Sequence, residues 1–162
     1  MNKYVILCVD DEREILDSIV KDIDPLYELF DIEATESVSE AREVIAEMPK
    51  QKQQLALILC DHVMPGELGV DFLIELNKNP ATRSAKKLLL TGQAGLENTI
   101  EAINHGNLDY YIAKPWQAKN VYQVVVNQLT NFIIENEDDL IKYAKMLDQV
   151  RIFEVIHKKG TY

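Results

Sequence analysis

The residues of this chain best suited to chemistry are acids that directly follow apolar runs. Asp10 and Asp11 come after the run at residues 4–9, and Asp61 comes after the run at residues 55–60. If both runs are parallel strands, the three carboxylates meet at one end of the sheet. There they repel one another and require a cation. Hard oxygen ligands suit Mg²⁺, which takes one or two carboxylates together with phosphate oxygens.

Two further polar residues complete a pattern that could bind phosphate. Thr91 ends the apolar run that begins at Lys87, and Lys114 follows the last strand-like segment. Both side chains can donate hydrogen bonds to phosphate oxygens. An aspartate can form an aspartyl phosphate, and phosphoryl transfer needs little more than an in-line nucleophile and charge stabilisation. Each residue taken singly also has an ordinary role as a cap, a turn residue or a surface lysine, so the prediction rests on the set.

The elements that must position these residues alternate between strands and helices. Apolar or alternating runs predict five strands, at residues 4–9, 30–34, 55–60, 87–91 and 108–112. Apolar residues recur at helical spacing after each of them, around Ile15, Ala41, Leu73, Ile100 and Val121. Such alternation predicts an α/β fold, in which a doubly wound parallel sheet is covered by helices on both faces.

Four stretches resemble the receiver domain of the two-component response regulators. They are Val9-Asp10-Asp11-Glu12, Asp61-His62-Val63-Met64-Pro65-Gly66, Leu90-Thr91-Gly92 and Tyr111-Ile112-Ala113-Lys114-Pro115-Trp116. Their order and spacing are similar to those of the family over roughly residues 1–135. The chemotaxis regulator of this family has a flavodoxin-like (βα)5 sheet with strand order 2-1-3-4-5, and the resemblance implies that order here.

The resemblance implies a phosphoacceptor and a metal site. Asp61 would accept a phosphoryl group from a histidine kinase or a phosphotransfer protein. Asp10, Asp11, Asp61 and the backbone carbonyl of Val63 would hold Mg²⁺.

The resemblance also implies a switch. Thr91 and Lys114 would contact the phosphoryl group, and the peptide bond between Lys114 and Pro115 would be cis. Tyr111, three residues before Lys114, matches the aromatic that responds to Thr91, whereas Tyr110 points to the other face of its strand. The surface that changes would be the fourth helix, the fifth strand and the fifth helix, and this face could also form a homodimer contact. The chain would then be a signalling switch in a phosphorelay and not an enzyme with a turnover substrate.

The composition restricts the partners and the location. The chain has 17 Lys and Arg against 27 Asp and Glu, a net charge of −10, which argues against nonspecific binding of nucleic acid. Neither a signal peptide nor an apolar run of about 18 residues is visible, so a cytoplasmic protein is expected. Cys8 and Cys60 lie inside apolar runs and are predicted to be buried thiols.

Residues 136–162 extend beyond the receiver-like part, residues 1–135. The tetrapeptide Asn136-Glu137-Asp138-Asp139 predicts a break after a long helix that starts near Gln117. Residues 138–158 then predict one amphipathic helix. Its apolar stripe would contain Leu140, Tyr143, Ala144, Met146, Leu147, Val150 and Phe153, with Ile152 and Ile156 outside it. Three roles stay open: packing on its own domain, a homodimer contact, or a linker to an output domain.

Three other functions use similar residues. A haloacid-dehalogenase-type phosphatase has its nucleophile after the first strand in an Asp-x-Asp pattern, whereas this chain has Asp10-Asp11-Glu12 there and no visible cap-domain insertion. A flavodoxin-like FMN carrier needs a Ser-, Thr- or Gly-rich phosphate loop at the same place, where these acids would repel the phosphate. A phosphorylation-independent pseudo-receiver scaffold is disfavoured because every chemical position is filled.

Overall fold

A five-stranded parallel sheet forms the centre of the protein, which we describe from a computed structural model over residues 1–92 and 108–160. The strand order is β2-β1-β3-β4-β5, and every neighbouring pair is parallel. The sheet and its order confirm the predicted fold class. The strands are β1 (Tyr4–Val9), β2 (Asp31–Thr35), β3 (Gln54–Asp61), β4 (Lys86–Thr91) and β5 (Tyr110–Ala113).

Helices follow the strands as the alternation predicts. The helix expected around Ile100 lies outside the described residues, so the labels number the described α-helices in chain order. Short 3₁₀ helices span Asp24–Glu28 and Pro49–Gln51. The α-helices are α1 (Arg13–Ile23), α2 (Val38–Glu47), α3 (Gly69–Lys78), α4 (Ala118–Asn136), α5 (Ile141–Ala144) and α6 (Gln149–Lys159).

The central strands are buried on both faces, which explains their continuous apolar runs. All six residues of β1 are buried, and alternate members belong to different cores. Tyr4, Ile6 and Cys8 face the core that includes α1 and α4, whereas the other three residues face α2 and α3. Cys8 and Cys60 are both buried free thiols, as predicted. Among the described residues, no helix is long and apolar enough to cross a membrane.

The C-terminal extension corrects one sequence prediction. Residues 138–158 do not form a single helix, because α5 ends at Ala144 and Asp148 begins α6 as its N-cap, accepting a hydrogen bond from the Arg151 amide at 3.2 Å. The new helix has a different phase. Val150 and Phe153 are therefore exposed and Ile152 is fully buried, the reverse of the predicted stripe.

The extension packs against the described receiver-like residues. Tyr143 lies with its ring 5.9 Å from that of Tyr4 and 5.6 Å from that of Phe30, between centroids. The main core also contains Leu140, Ala144, Leu147 and Ile152. These contacts join the extension to the core on the α1 and α4 side of the sheet.

Candidate functional site

The carboxyl ends of β1 and β3 bring two buried acids together. Asp10 is fully buried and Asp61 is 6% exposed. Asp10 is held by its backbone amide, which donates to the Thr35 carbonyl at 3.1 Å, and its Oδ1 accepts from the Glu12 amide at 2.9 Å. Oδ1 of Asp61 accepts from the His62 amide at 3.0 Å. Both carboxylates are thus fixed by backbone groups of the loops that follow their strands.

Asp10, Asp11 and Asp61 form a cluster of oxygen ligands. One carboxylate oxygen from each lies within 4.8 Å of the others, and Asp11 is exposed while the other two are buried. Carboxylate oxygens are the ligands that hard divalent cations prefer. An exposed member leaves one side open, which suits a cation that keeps part of its water shell. The cluster therefore has the chemistry of a Mg²⁺ site.

Lys114 is the cation that the described residues place in this cluster. Its Nζ lies 3.0 Å from Oδ2 of Asp10 and 2.9 Å from Oδ1 of Asp61. Burial raises the pKa of Asp61; the Lys114 hydrogen bond opposes this rise, and the Asp10 charge adds to it. Burial lowers the pKa of Lys114, but its hydrogen bonds to Asp61 and Asp10 outweigh burial and leave that pKa raised. One ammonium therefore pairs with the two buried carboxylates of the cluster, Asp10 and Asp61.

Thr91 and Lys114 are joined through the backbone at the ends of β4 and β5. The Lys114 amide donates to the Thr91 carbonyl at 2.8 Å, and Thr91 is 4% exposed. The Lys114–Pro115 peptide bond is cis. Beyond it, Nε1 of Trp116 donates to Asp22 of α1 at 3.0 Å, which ties this loop to the first helix.

The strand register shows that the two tyrosines of β5 lie on opposite faces of the sheet. Leu89 of β4 pairs with Tyr111, and Thr91 pairs with Ala113. Side chains two residues apart on a strand share a face, so Tyr111 lies on the same face as Thr91, and Tyr110 lies on the opposite face. Both residues are about half exposed, at 49% and 50%. This register agrees with the choice of Tyr111, whose role as the switch aromatic stays a prediction.

The loop after Asp61 is closed tightly onto α3. The Gly69 amide donates to the His62 carbonyl at 2.7 Å, and Val63 and Leu68 form an isolated antiparallel bridge. A Cβ on Gly69 would lie 2.0 Å from the Asp61 carbonyl oxygen, so this position admits only glycine without a backbone shift. The predicted ligand carbonyl of Val63 sits in this closed loop.

Sequence reasoning missed three residues around this site. Gly69 was not singled out, although a glycine directly before a helical apolar run could have suggested a close backbone approach. His62 is 3% exposed, and its Nδ1 has no hydrogen-bond partner among the described residues. Arg42 of α2 binds the loop residue Glu67, a long-range contact that leaves no local pattern. The predicted residues Asp10, Asp11, Asp61 and Lys114 do lie together, while their functional roles stay predictions.

Comparisons with known proteins agree with this geometry. A family model described as the response regulator receiver domain matches residues 6–126. The hydrogenase transcriptional regulatory protein HoxA of Cupriavidus necator is 30% identical over 120 residues, covering 74% of this chain and 23% of that protein. A Vibrio cholerae protein named "Probable cyclic di-GMP phosphodiesterase" is 26% identical over 145 residues, covering 88% of this chain and 31% of that one. The chain spans less than a third of the length of these two relatives.

Solved structures show the same architecture. The response regulator receiver domain protein (CheY-like) from Methanospirillum hungatei superposes with a TM-score of 0.70 and 28% identity, covering 84% of this chain and 100% of that one. The family match covers most of the described core and includes all of the clustered side chains. The chain therefore belongs to the response regulator receiver domain family.

Proposed function

We propose that Asp61 accepts a phosphoryl group from a histidine kinase or a phosphotransfer protein. The observation that carries this proposal is the cluster itself, in which the carboxylates of Asp10, Asp11 and Asp61 meet at the carboxyl end of a parallel sheet and one lysine pairs with Asp10 and Asp61. A carboxylate is a competent nucleophile toward phosphorus. Asp61 is fixed by the His62 amide at one oxygen, which orients the carboxylate without occupying both oxygens.

Asp10, Asp11, Asp61 and the Val63 carbonyl would hold Mg²⁺. When bound, Mg²⁺ would neutralise charge on the carboxylates and on the transferred phosphoryl group. Lys114 already contacts Asp61, and its ammonium can donate to a phosphoryl oxygen on the same residue. Thr91 lies at the end of the neighbouring strand β4, and its hydroxyl would be the second hydrogen-bond donor to the phosphoryl group.

The resulting signal would be a change of protein-interaction surface. Phosphorylation adds nearly two negative charges and three acceptor oxygens. Movement of Thr91 toward them would leave space for Tyr111, which the register places on the same face. The fifth strand and the helix after it would carry this change, together with the helix predicted around Ile100, which lies outside the described residues.

We propose two kinds of partner for the switch, an output region or effector protein and a second copy of the chain. The relatives' names suggest an output region or a separate effector, since one is a transcriptional regulator and another is named as a phosphodiesterase. A homodimer through the C-terminal helices is the alternative use of the extension, because Val150 and Phe153 are exposed on α6. We expect no direct contact of this chain with nucleic acid or membrane, and we expect the phosphoryl transfer to take place in the cytoplasm.

An enzyme with a turnover substrate is the competing interpretation. The family match favours the receiver, and the proposed nucleophile, Asp61, is the last residue of the third strand, whereas the phosphatase has its nucleophile after the first strand. A haloacid-dehalogenase-type phosphatase would release phosphate steadily from small phosphomonoesters. We expect the purified protein to release none.

Binding of beryllofluoride, a stable analogue of the phosphoryl group, tests the proposal. Calorimetry should show Mg²⁺-dependent binding by the unchanged protein and none by Asp61→Asn, which lacks the nucleophilic oxygen. Asp17→Asn is the matched control, because it removes an exposed α1 carboxylate outside the cluster. Equal binding by the unchanged protein and Asp61→Asn would contradict the proposal.

A further inference from the structure

An arginine from α2 holds the loop between β3 and α3. Arg42 donates from Nη1 and Nη2 to the two carboxylate oxygens of Glu67, at 2.7 Å each. The same guanidinium donates from Nε and Nη2 to Glu75 of α3, at 2.9 and 2.7 Å. The planar fork of arginine suits such paired contacts, which constrain direction as well as distance. We call Arg42 and Glu67 the loop clamp.

The loop clamp acts next to the bridge that contains the predicted ligand carbonyl. Glu67 precedes Leu68, and Leu68 pairs with Val63 across the loop. Leu68 is also the N-cap of α3, and no side chain caps that helix. Among the described residues of the loop, Glu67 is the residue whose side chain forms an ion pair. Met64 of the same loop is buried in the core, and the contact of Glu67 with Arg42 adds a charged anchor to the segment that carries Val63.

The surroundings of the loop clamp favour orientation over stability. The side chains of Arg42 and Glu67 are 40% and 39% exposed, and ion pairs at such sites contribute little to the free energy of unfolding. The Arg42 hydrogen bond lowers the pKa of Glu67, which keeps this carboxylate ionised. The guanidinium also lies over the Phe72 ring, with 5.5 Å between its Cζ and the ring centroid. Glu67, Glu75 and the Phe72 ring thus fix the plane of the Arg42 guanidinium.

We propose that Arg42 is a positioning residue for the phosphoacceptor site, acting through Glu67 on the Val63 carbonyl. The clamp holds the loop that carries this carbonyl in its closed form, in which the Gly69 amide donates to the His62 carbonyl at 2.7 Å. This inference rests on the proposed function, because it assigns the loop a part in metal binding. It also connects α2 to the site, although no α2 residue belongs to the cluster of Asp10, Asp11 and Asp61.

The test compares two clamp variants with a matched control. Arg42→Gln and Glu67→Gln each break the contact with the loop, whereas Glu75→Gln removes the other carboxylate of the same guanidinium and leaves the loop contact in place. Calorimetry gives the Mg²⁺ affinity, and hydrogen exchange at the Gly69 amide, which donates to the His62 carbonyl across the loop, gives the opening of the loop.

We expect both clamp variants to bind Mg²⁺ more weakly by on the order of tenfold, as for other residues that orient metal ligands. The Gly69 amide should exchange faster in both variants, and the double variant should bind Mg²⁺ no more weakly than either single one. Glu75→Gln should keep the affinity and the exchange rates of the unchanged protein.

Two results would overturn the loop clamp. One is unchanged affinity and exchange in the folded clamp variants. The other is an equal loss in Glu75→Gln, which would assign the effect to packing between α2 and α3. Failure of the proposed function would look different: the unchanged protein would bind no Mg²⁺, while faster loop exchange in the clamp variants would still show that the clamp holds the loop.

Discussion

At the scale of single residues, Asp61 is destabilised by the surroundings that suit it to chemistry. It is buried beside Asp10 and is only partly compensated by Lys114. Its raised pKa means that the folded protein disfavours the ionised carboxylate. Functional sites commonly carry such strain, and relieving it stabilises the protein. The strain at this site is electrostatic and belongs to a small group of charges.

Asp61→Asn should therefore stabilise the metal-free protein by about 1 kcal/mol, the usual scale for relieving one functional-site charge. Because the folded-state pKa is raised, the unchanged protein binds the proton more tightly when folded. The difference in the free energy of unfolding between the variant and the unchanged protein should then shrink as the pH falls toward the pKa of Asp61. Urea denaturation at several pH values measures both effects. A variant less stable than the unchanged protein at neutral pH would contradict this explanation.

Gly69 is the residue where the backbone leaves least space. Gly69→Ala places a Cβ against the Asp61 carbonyl oxygen, a backbone atom that cannot move aside alone. We expect a loss of about 1–3 kcal/mol, the usual cost of overpacking, and slower phosphorylation by acetyl phosphate. Gly92→Ala is the control, since a Cβ there meets no atom of the described residues within 4 Å. Similar stability of the two variants would show that the loop relaxes freely.

At the scale of elements, the C-terminal extension behaves as part of the core. Tyr143 is 1% exposed and packs on Tyr4 and Phe30. Lys145 of the same segment pairs with Glu28 at 2.7 Å. On α6, Arg151 donates to Asn127 and Asn131 of α4. These contacts distribute the extension over β1, the 3₁₀ helix after α1, and α4.

Tyr143→Ala should lower the free energy of unfolding by about 3 kcal/mol, as truncations of buried aromatics do. Phe153→Ala is the matched aromatic control, because Phe153 is 51% exposed and surface changes usually stay within about 0.5 kcal/mol. Chemical denaturation of both variants makes the comparison. Equal losses in the free energy of unfolding would support the single helix over residues 138–158 that the sequence predicted, and they would contradict the break at Asp148.

At the scale of the whole molecule, the exposed face of α6 offers a surface for association. Val150 and Phe153 are 68% and 51% exposed, while the opposite side of α6 packs on α4 through Ile152. Removing the extension to test this face would also uncover Tyr4 and Phe30, on which Tyr143 packs, so surface substitutions give the cleaner experiment. One side of α6 therefore packs on the chain's own core, and the side with Val150 and Phe153 is exposed and can contact a second copy.

Light scattering with and without beryllofluoride tests the homodimer proposal. We expect the unchanged protein to increase in mass with beryllofluoride and Mg²⁺, and the double variant Val150→Glu, Phe153→Glu to stay monomeric. The substituted side chains are exposed, so the fold should be kept. Association of both proteins to the same extent would exclude the α6 face and favour the face of the fifth strand.

The sequence predicts those features that depend on local pattern. Continuous apolar runs predicted β1 and β3, and the acids after them predicted which carboxylates meet, because strand ends in a parallel sheet converge. The phase change at Asp148 could not be read locally, since the polar side chain that caps α6 also fits the polar side of one longer helix. The loop clamp depends on Arg42 and Glu67, which are 25 residues apart and meet only in the folded chain. Such contacts follow from topology rather than from spacing.

The central claim is that Asp61 carries the phosphoryl group. Intact-protein mass spectrometry after incubation with acetyl phosphate and Mg²⁺ measures this directly, with Asp61→Asn and a chelator-treated sample in parallel. We predict the added mass of one phosphoryl group on the unchanged protein, lost on treatment with hydroxylamine, and no addition in either of the other samples. Equal labelling of the unchanged protein and Asp61→Asn would contradict the account.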